Sequence, residues 1–387
     1  MTINVINKGK ENRPTNAEFL NAMAEDVAVS REVASTIKEV GTENMSLLYQ
    51  ALTTGVSRKN DFINSLYNPT VVNHFFSKLY EDKLSYFLNG ELEMGDSIQQ
   101  IYVQRSLRKG FAEHFDDKHN TTEGDLIARV TPVVSANIIQ VNFQHKFKVS
   151  VDMRELKKAM LREYGLFDFV GQLIMANING ANKQEFDDIH HLLDGTSEKT
   201  YMSGTYVDSK LPKGVIQQAW DTGKSSMFVK VATGNDLAEK IIQYTGDLEE
   251  YSDAYSLAKD EEGNPIETFT NRENLVLILT NEMKAKMNVQ TLATAFNTDY
   301  IELPKRVLTV KSFNPLTGKE GAVGTTGTWK AVGILMDKDL IQCWDTFKDM
   351  AQFTNVEGKY YNSFLHVEGI KAVCPFCQFI VFYADTE

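Results

Sequence analysis

One stretch, Leu166 to Leu193, constrains this chain more than any other. Its apolar residues fall at Leu166, Phe169/Val170, Leu173/Ile174, Ile178, Ala181, Phe186, Ile189 and Leu192/Leu193. That three-then-four spacing holds one helical face apolar over many turns. At 1.5 Å per residue such a helix runs about 40 Å, most of the way across a domain, so the elements around it must be laid out along it. Asp194-Gly195 stops it with the glycine that helices favour just past their ends. A shorter helix runs in from Asp152, where Asp152-Met153-Arg154-Glu155 reads as a capping box.

The rest of the chain must supply what such a helix packs against. With 387 residues, 42% of them hydrophobic, it can bury a sizeable core in one large domain or two intimate ones. No apolar run reaches the ~18 residues of a membrane span, and Met1-Thr2-Ile3-Asn4 lacks a signal-peptide profile, so a chain made and folded in a cytoplasm is expected. Three cysteines argue against disulfide stapling. The net charge of −12 is unevenly placed. Between Asp236 and Glu273 eleven acidic residues face three basic ones, Lys240, Lys259 and Arg272, a balance of −8. This segment belongs on an exposed lobe, and so acidic a chain is a poor candidate for tight duplex DNA binding.

Residues 1–14 read as a polar arm. Phe19, Met23, Val27, Val33, Ile37, Val40, Leu48 and Leu52 mark two or three thin-striped helices broken near Gly41. A second helical region is expected over about Asp61 to Leu88, broken at Asn68-Pro69. Ile98 to Val103 reads as a strand. Val141, Phe143, His145, Phe147, Val149 and Val151 alternate strictly with polar residues, as a half-buried strand does. Paired with Ile98 to Ser106, it would form an extended two-stranded feature with a charged end at Arg105, Arg108, Lys109, Asp116, Asp117 and Lys118. Such a ribbon is marginal alone and needs another surface.

Beyond Gly195, helical pieces are expected at Ile216–Trp220, Leu237–Tyr244 and Val289–Phe296, and strands at Leu275–Leu279, Val307–Val310 and Ala331–Met336. Asn314 to Gly327, with four glycines, reads as a loop. A helix opened by Asp337 is expected to carry Leu340/Ile341, Trp344, Phe347 and Ala351 on one face, and an almost continuous apolar strand, Val373 to Tyr383, to end the chain.

Catalytic chemistry is hard to find. In Cys374-Pro375-Phe376-Cys377 a redox pair would need a following helix, and a zinc site two more ligands. Cys343 stands apart, so two small buried residues are the plainer reading. Gly223-Lys224-Ser225 lacks the upstream glycine of a phosphate loop, because position 218 is Gln218. His190-His191 faces two directions on a helix and fits capping or surface roles. No carboxylate pair sits in an apolar setting that would raise a pKa for acid–base work. An assembly role is favoured over catalysis, and no cofactor or metal is expected.

The order of helical arm, extended hairpin, long helix, α/β lobe and returning strand resembles the major capsid proteins of tailed phages with the Hong Kong ninety-seven-type fold. Several phrases look like the head proteins of small short-tailed phages: Asn274 to Leu279 followed by Asn281-Glu282, Leu292-Ala293-Thr294-Ala295-Phe296-Asn297, Gly333 to Asp337, and Phe364-Leu365-His366-Val367. The resemblance runs from about Asn60 to the C-terminus, without the extra immunoglobulin-like domain of some relatives.

It implies an α+β fold with an N-terminal arm (1–95), an extended hairpin loop (96–151), a peripheral domain with a spine helix (152–214), an axial domain (215–345) and a return to the peripheral domain (346–387). It implies a non-enzymatic subunit of an icosahedral shell around phage double-stranded DNA, a virion component assembled in the host cytoplasm. Its partners would be further copies in hexamers and pentamers, a scaffolding protein and a portal protein. DNA would be enclosed without sequence-specific binding, and no membrane is involved. The arm, Asn16 to Leu52, would cross to another subunit. Contacts between subunits would fall at Arg105, Arg108, Lys109, Phe111, Asp116 and Asp117. The alternatives are a cellular nanocompartment shell and a thiol–disulfide oxidoreductase using Cys374 and Cys377.

Overall fold

A computed structural model describes residues 15–25, 29–54, 61–62, 80–92, 97–106, 134–161, 165–203, 205–260, 263–287, 304, 306–314, 316–317, 328–355 and 357–385. The chain forms two compact units: 1–82, 144–187 and 347–368 make the first, and 83–143, 188–346 and 369–387 the second. The long helix is one of the elements whose residues are divided between them.

In the first unit the thin apolar stripe folds as three helices, α1 (Asn16–Glu25), α2 (Arg31–Val40) and α3 (Met45–Thr53). Gly41, at φ 73°, ends α2 in a backbone conformation that favours glycine. Phe19, Met23, Val33, Ile37, Leu48 and Leu52 are buried in one core with Val151, Met153, Leu156, Met160 and Tyr361. The stripe is thus covered inside its own unit, where the family resemblance implied a crossing to another copy. Buried Asn16 fastens the start of α1 by donating to the carbonyls of Ala159 (3.1 Å) and Met160 (2.9 Å). These close α4 (Met153–Met160), whose N-cap Asp152 accepts from the Arg154 amide at 2.8 Å.

The long helix, α5, spans Gly165–Asp194. Within the first unit it approaches strand residue Phe147 through Gly180, where a Cβ would stand 3.3 Å from the ring, and Asn177 donates to Ser363 Oγ. Its end departs from the expectation. Gly195 is not among the glycines with positive φ; a side chain there would overlap the His191 ring and approach the His191 carbonyl. Close approach, rather than a left-handed turn, is what requires glycine.

Fourteen strands are named among the described residues. β1 (Leu88–Glu91), β4 (Phe143–Asp152), β12 (Ile341–Asn355) and β13 (Tyr360–Val373) form a sheet in the order β1-β12-β13-β4. β2 (Ser97–Val103) and β3 (Val134–Gln140) form a ribbon, and β5 (Lys199–Ser203) and β6 (Tyr206–Leu211) a hairpin. β7 (Phe228–Lys230), β8 (Leu275–Thr280), β9 (Arg306–Val310), β10 (Leu316–Thr317), β11 (Thr328–Asp337) and β14 (Phe379–Asp385) form the second unit's mixed sheet, ordered β7-β14-β11-β8-β9 with β10 on β11. All six residues of β8 are buried, as its unbroken apolar run requires. That unit also holds helices α6 (Val215–Thr222) and α7 (Gly234–Glu249), and residues 281–287 are helical; Leu237, Ile241 and Leu248 of α7 join β8, Met283, Met287, Ile380 and Phe382 in its core.

Four sequence expectations are corrected. The alternating strand 143–152 belongs to the four-stranded sheet, and β2 pairs instead with 134–140. Asn142 makes the divide: its side chain accepts from the Lys371 amide (2.8 Å) and donates to the Lys371 carbonyl (2.7 Å), directing the chain onto β13. The helix expected after Asp337 is strand β12; its apolar spacing also suits a strand alternating against β13, and sheet pairing overrides the helical period. The strand expected over Val373–Tyr383 is broken by a turn at Pro375–Cys377. The end of the second helical region is a 3-10 turn, Ser85–Phe87, leading into β1. Most of that region, and the helix expected at Val289–Phe296, lie outside the described residues.

Candidate assembly surfaces

The ribbon has two unlike faces, both set by the period of two. Cross-strand pairs Ile98 with Ile139, Gln100 with Asn137 and Tyr102 with Ser135 share one face. Gln100 donates to Gln342 at 2.8 Å and accepts from Asn137 at 3.0 Å. Tyr102 stacks on Phe376, with centroids 5.6 Å apart and planes 13° from parallel, and its hydroxyl donates to the Glu267 carbonyl at 2.9 Å. Those contacts supply, within the second unit, the surface an isolated ribbon lacks.

The opposite face is apolar and open. Val103 pairs with Val134, Ile101 with Ala136 and Gln99 with Ile138. Ile101 is 59% exposed, Val103 55%, Val134 46% and Ile138 64%. A row of large apolar side chains left in water is the pattern of an interaction surface. The tip of β5–β6 is a second such surface, with Met202, Tyr206 and Val207 exposed and Met202 paired across to Val207.

Of the predicted contact residues, Arg105 is described. Its Nε donates to Glu267 Oε2 at 2.7 Å, and its guanidinium lies 5.8 Å from the centre of the Tyr251 ring. The hydrogen bond to Glu267 raises the Arg105 pKa, and the same bond lowers that of Glu267. Arg105 therefore engages its own chain's acidic segment. Arg108, Lys109, Phe111, Asp116 and Asp117 lie outside the described residues. Sequence reasoning gave weight to charge and missed the apolar face, because large apolar or aromatic neighbours (Tyr102 between Ile101 and Val103, Ile139 beside Ile138, Val133 beside Val134) blur the period of two.

Motifs read as structural have structural partners. His190 lies 3.2 Å from Asp194 and 3.0 Å from the Ser312 carbonyl, and stacks on Phe313. Burial holds His191 below the usual imidazole range. Gly223, at φ 70°, caps α6, and Lys224 donates to the carbonyls of Asp253 (2.7 Å) and Ser256 (2.9 Å), a half-buried setting that lowers its pKa. Asp188, fully buried, meets Lys371 Nζ at 2.8 Å, the Tyr201 hydroxyl at 2.5 Å and Lys199 Nζ at 3.5 Å. This knot ties the end of α5 to the β5–β6 hairpin and β13.

The α/β lobe, the long helix and the ribbon make a fold shared with the capsid proteins of tailed phages, as comparison with known structures shows. The capsid of Staphylococcus phage Andhra matches over 81% of this chain and 86% of that one, with a TM-score of 0.57 and 12% identity. A chain from the head fiber and inner core protein structure of native bacteriophage P68 matches at 0.56 and 12% identity, covering 79% of this chain and 88% of that one. More narrowly, the family model for the Phi29-like phage major capsid protein matches residues 20–383, and this chain belongs to that family. The major capsid protein of Bacillus phage B103 is 23% identical over 375 residues, covering 93% of this chain and 74% of that protein. That of Bacillus phage GA-1 is 24% identical over 327 residues, or 84% of this chain and 60% of that protein. Family membership makes the chain a structural subunit of a phage head shell built from many copies and a component of the virion, and not an enzyme. It favours neither a nanocompartment nor a thiol–disulfide oxidoreductase.

Proposed function

We propose that the open face of the β2–β3 ribbon, together with the charged segment beyond it, is the surface by which one copy seats on the next in the shell. The observation that carries this reading is the half-exposed row Ile101, Val103, Val134 and Ile138 on a ribbon whose other face is already occupied. Arg108, Lys109, Phe111, Asp116 and Asp117, which lie between β2 and β3 in the sequence, are proposed as further contact residues. Arg105, just past the Val103–Val134 end of the ribbon, holds that end to its own lobe through Glu267.

In this reading the first unit serves as the peripheral domain and the lobe of the second as the axial domain. Heterologous contacts of one patch with a different patch close into rings, here hexamers and pentamers. A scaffolding protein guides closure, a portal protein occupies one vertex, and assembly takes place in the host cytoplasm. The shell encloses double-stranded DNA, and a subunit charge of −12 leaves the packaged polymer free of sequence-specific or tight electrostatic capture.

A photo-crosslinking residue at position 138, activated in purified particles, tests the contact. Crosslinks between copies, mapped to a single partner region, support the reading. Crosslinks confined to the same chain overturn it.

A further inference from the structure

The dipeptide Asn-Gly occurs twice in the sequence, at Asn89-Gly90 and Asn179-Gly180, and the fold gives the two opposite surroundings. Such a pair sets an electrophile, the side-chain amide carbon, next to a nucleophile, the glycine backbone nitrogen. Glycine has no side chain to block their approach, so the backbone around them decides whether they meet. Asn89 and Gly90 are both exposed, on β1 at the edge of its sheet. Leu88 pairs with Cys343 and Glu91 with Asp345, so three steps along β1 match two along β12, and the register breaks at Asn89-Gly90. Gly90 stands at φ 106°, with nothing within 4 Å of where a Cβ would lie. Asn179-Gly180 lies inside α5, where helical geometry commits the Gly180 amide to the carbonyl four residues back. The Asn179 side-chain oxygen is held as well, accepting from the Tyr80 amide at 2.9 Å.

We propose that Asn89-Gly90 is a self-modifying site, converted with water as co-reactant into aspartate and isoaspartate, while Asn179-Gly180 in its helix stays intact. Hydroxide takes the Gly90 amide proton, and that nitrogen bonds to the Asn89 Cγ. The bond from Cγ to the side-chain nitrogen breaks, and ammonia leaves with a proton from water. The succinimide ring that remains then adds one water. Opening at the side-chain carbonyl gives aspartate. Opening at the main-chain carbonyl routes the backbone through the former side chain and gives isoaspartate. Overall one water enters and one ammonia leaves, and nothing is oxidised or reduced.

Isoaspartate adds a methylene to the backbone of β1 and a carboxylate beside Glu91, whose partner across the pair, Asp345, is already acidic. The next tie along the chain is the Leu92 amide, which donates to the Asp345 carbonyl at 2.8 Å. Conversion therefore loosens the β1 edge from β12.

The test ages the purified chain in mildly alkaline buffer, native and in guanidinium, and follows both asparagine peptides by mass spectrometry. Isoaspartate is counted by labelling with protein isoaspartyl methyltransferase. In the native chain Asn89 should convert at least tenfold faster than Asn179, with isoaspartate among its products. In guanidinium, where only the local sequence remains, the two rates should come within threefold of each other. A native ratio below tenfold overturns the proposal, as does conversion of Asn89 without isoaspartate. A native ratio that survives in guanidinium overturns it too, because the fold would not be its cause. Amide exchange over residues 88–92 should quicken in the converted chain; unchanged exchange overturns the loosening of β1.

Discussion

Replacing Ile101 and Ile138 together with serine should separate assembly from folding. Both side chains are more than half exposed in the chain, at 59% and 64%, so their removal costs the fold little, within about 0.5 kcal/mol each. Full burial of an isoleucine is worth roughly 1.5–3 kcal/mol, and about three-fifths of that remains to be gained, roughly 1–2 kcal/mol for each residue. The double variant then loses about 2–4 kcal/mol at every ribbon contact, or roughly 30- to 1,000-fold in its association constant. Because many contacts act together in a closed shell, the concentration needed for assembly should rise steeply. The assay pairs thermal unfolding of the unassembled chain with light scattering over a concentration series. An unchanged melting temperature with the assembly midpoint raised at least tenfold is expected. A midpoint within threefold of the parent, at equal stability, would refute the reasoning.

Other consequences follow from particular contacts. Lys371→Met leaves Asp188 as a fully buried carboxylate without its closest cation, and should destabilise the chain by about 3–5 kcal/mol in urea unfolding. Gly369→Ala would drive a methyl into the Trp344 carbonyl and to 2.8 Å from the Phe143 ring, so it should cost more than about 1 kcal/mol by the same measurement. Asp236 accepts from the Ala232 amide at 2.8 Å and pairs with Lys240, the amide bond being the larger reason its pKa is lowered. A lowered folded pKa gives stability that is present above the unfolded value and lost as pH falls through the folded one. Asp236→Asn should therefore cost about 0.5 kcal/mol at pH 7, discounted for its exposed position, and nothing once the carboxyl is protonated in the folded chain. A stability difference independent of pH would contradict that assignment.

What could be read from the sequence is what local periodicity decides. The spine helix is found within a residue at each end because its apolar positions recur from Leu166 to Leu193, and β4 because its alternation is strict. Asp152 and Gly41 mark helix boundaries through capping and backbone chemistry that act locally. The misses share a different cause. Ile341–Asn355 carries apolar residues at a spacing that serves either period, and only its partner β13 decides between them. Val373–Tyr383 is apolar except at Gln378, so little beyond Pro375 signals the turn within it. β3 and the β5–β6 hairpin are short, with one face in water, and carry few buried residues to betray them. The ribbon's open face was missed because half-buried strands also alternate; only the structure shows which face is covered.

Electron microscopy of the chain expressed with and without its candidate scaffolding protein tests the central claim most directly, with size-exclusion light scattering alongside. Closed hollow particles of repeated copies, or rings of five and six, are the predicted result. A monomer that persists at every concentration, with the scaffolding protein present, would contradict the account.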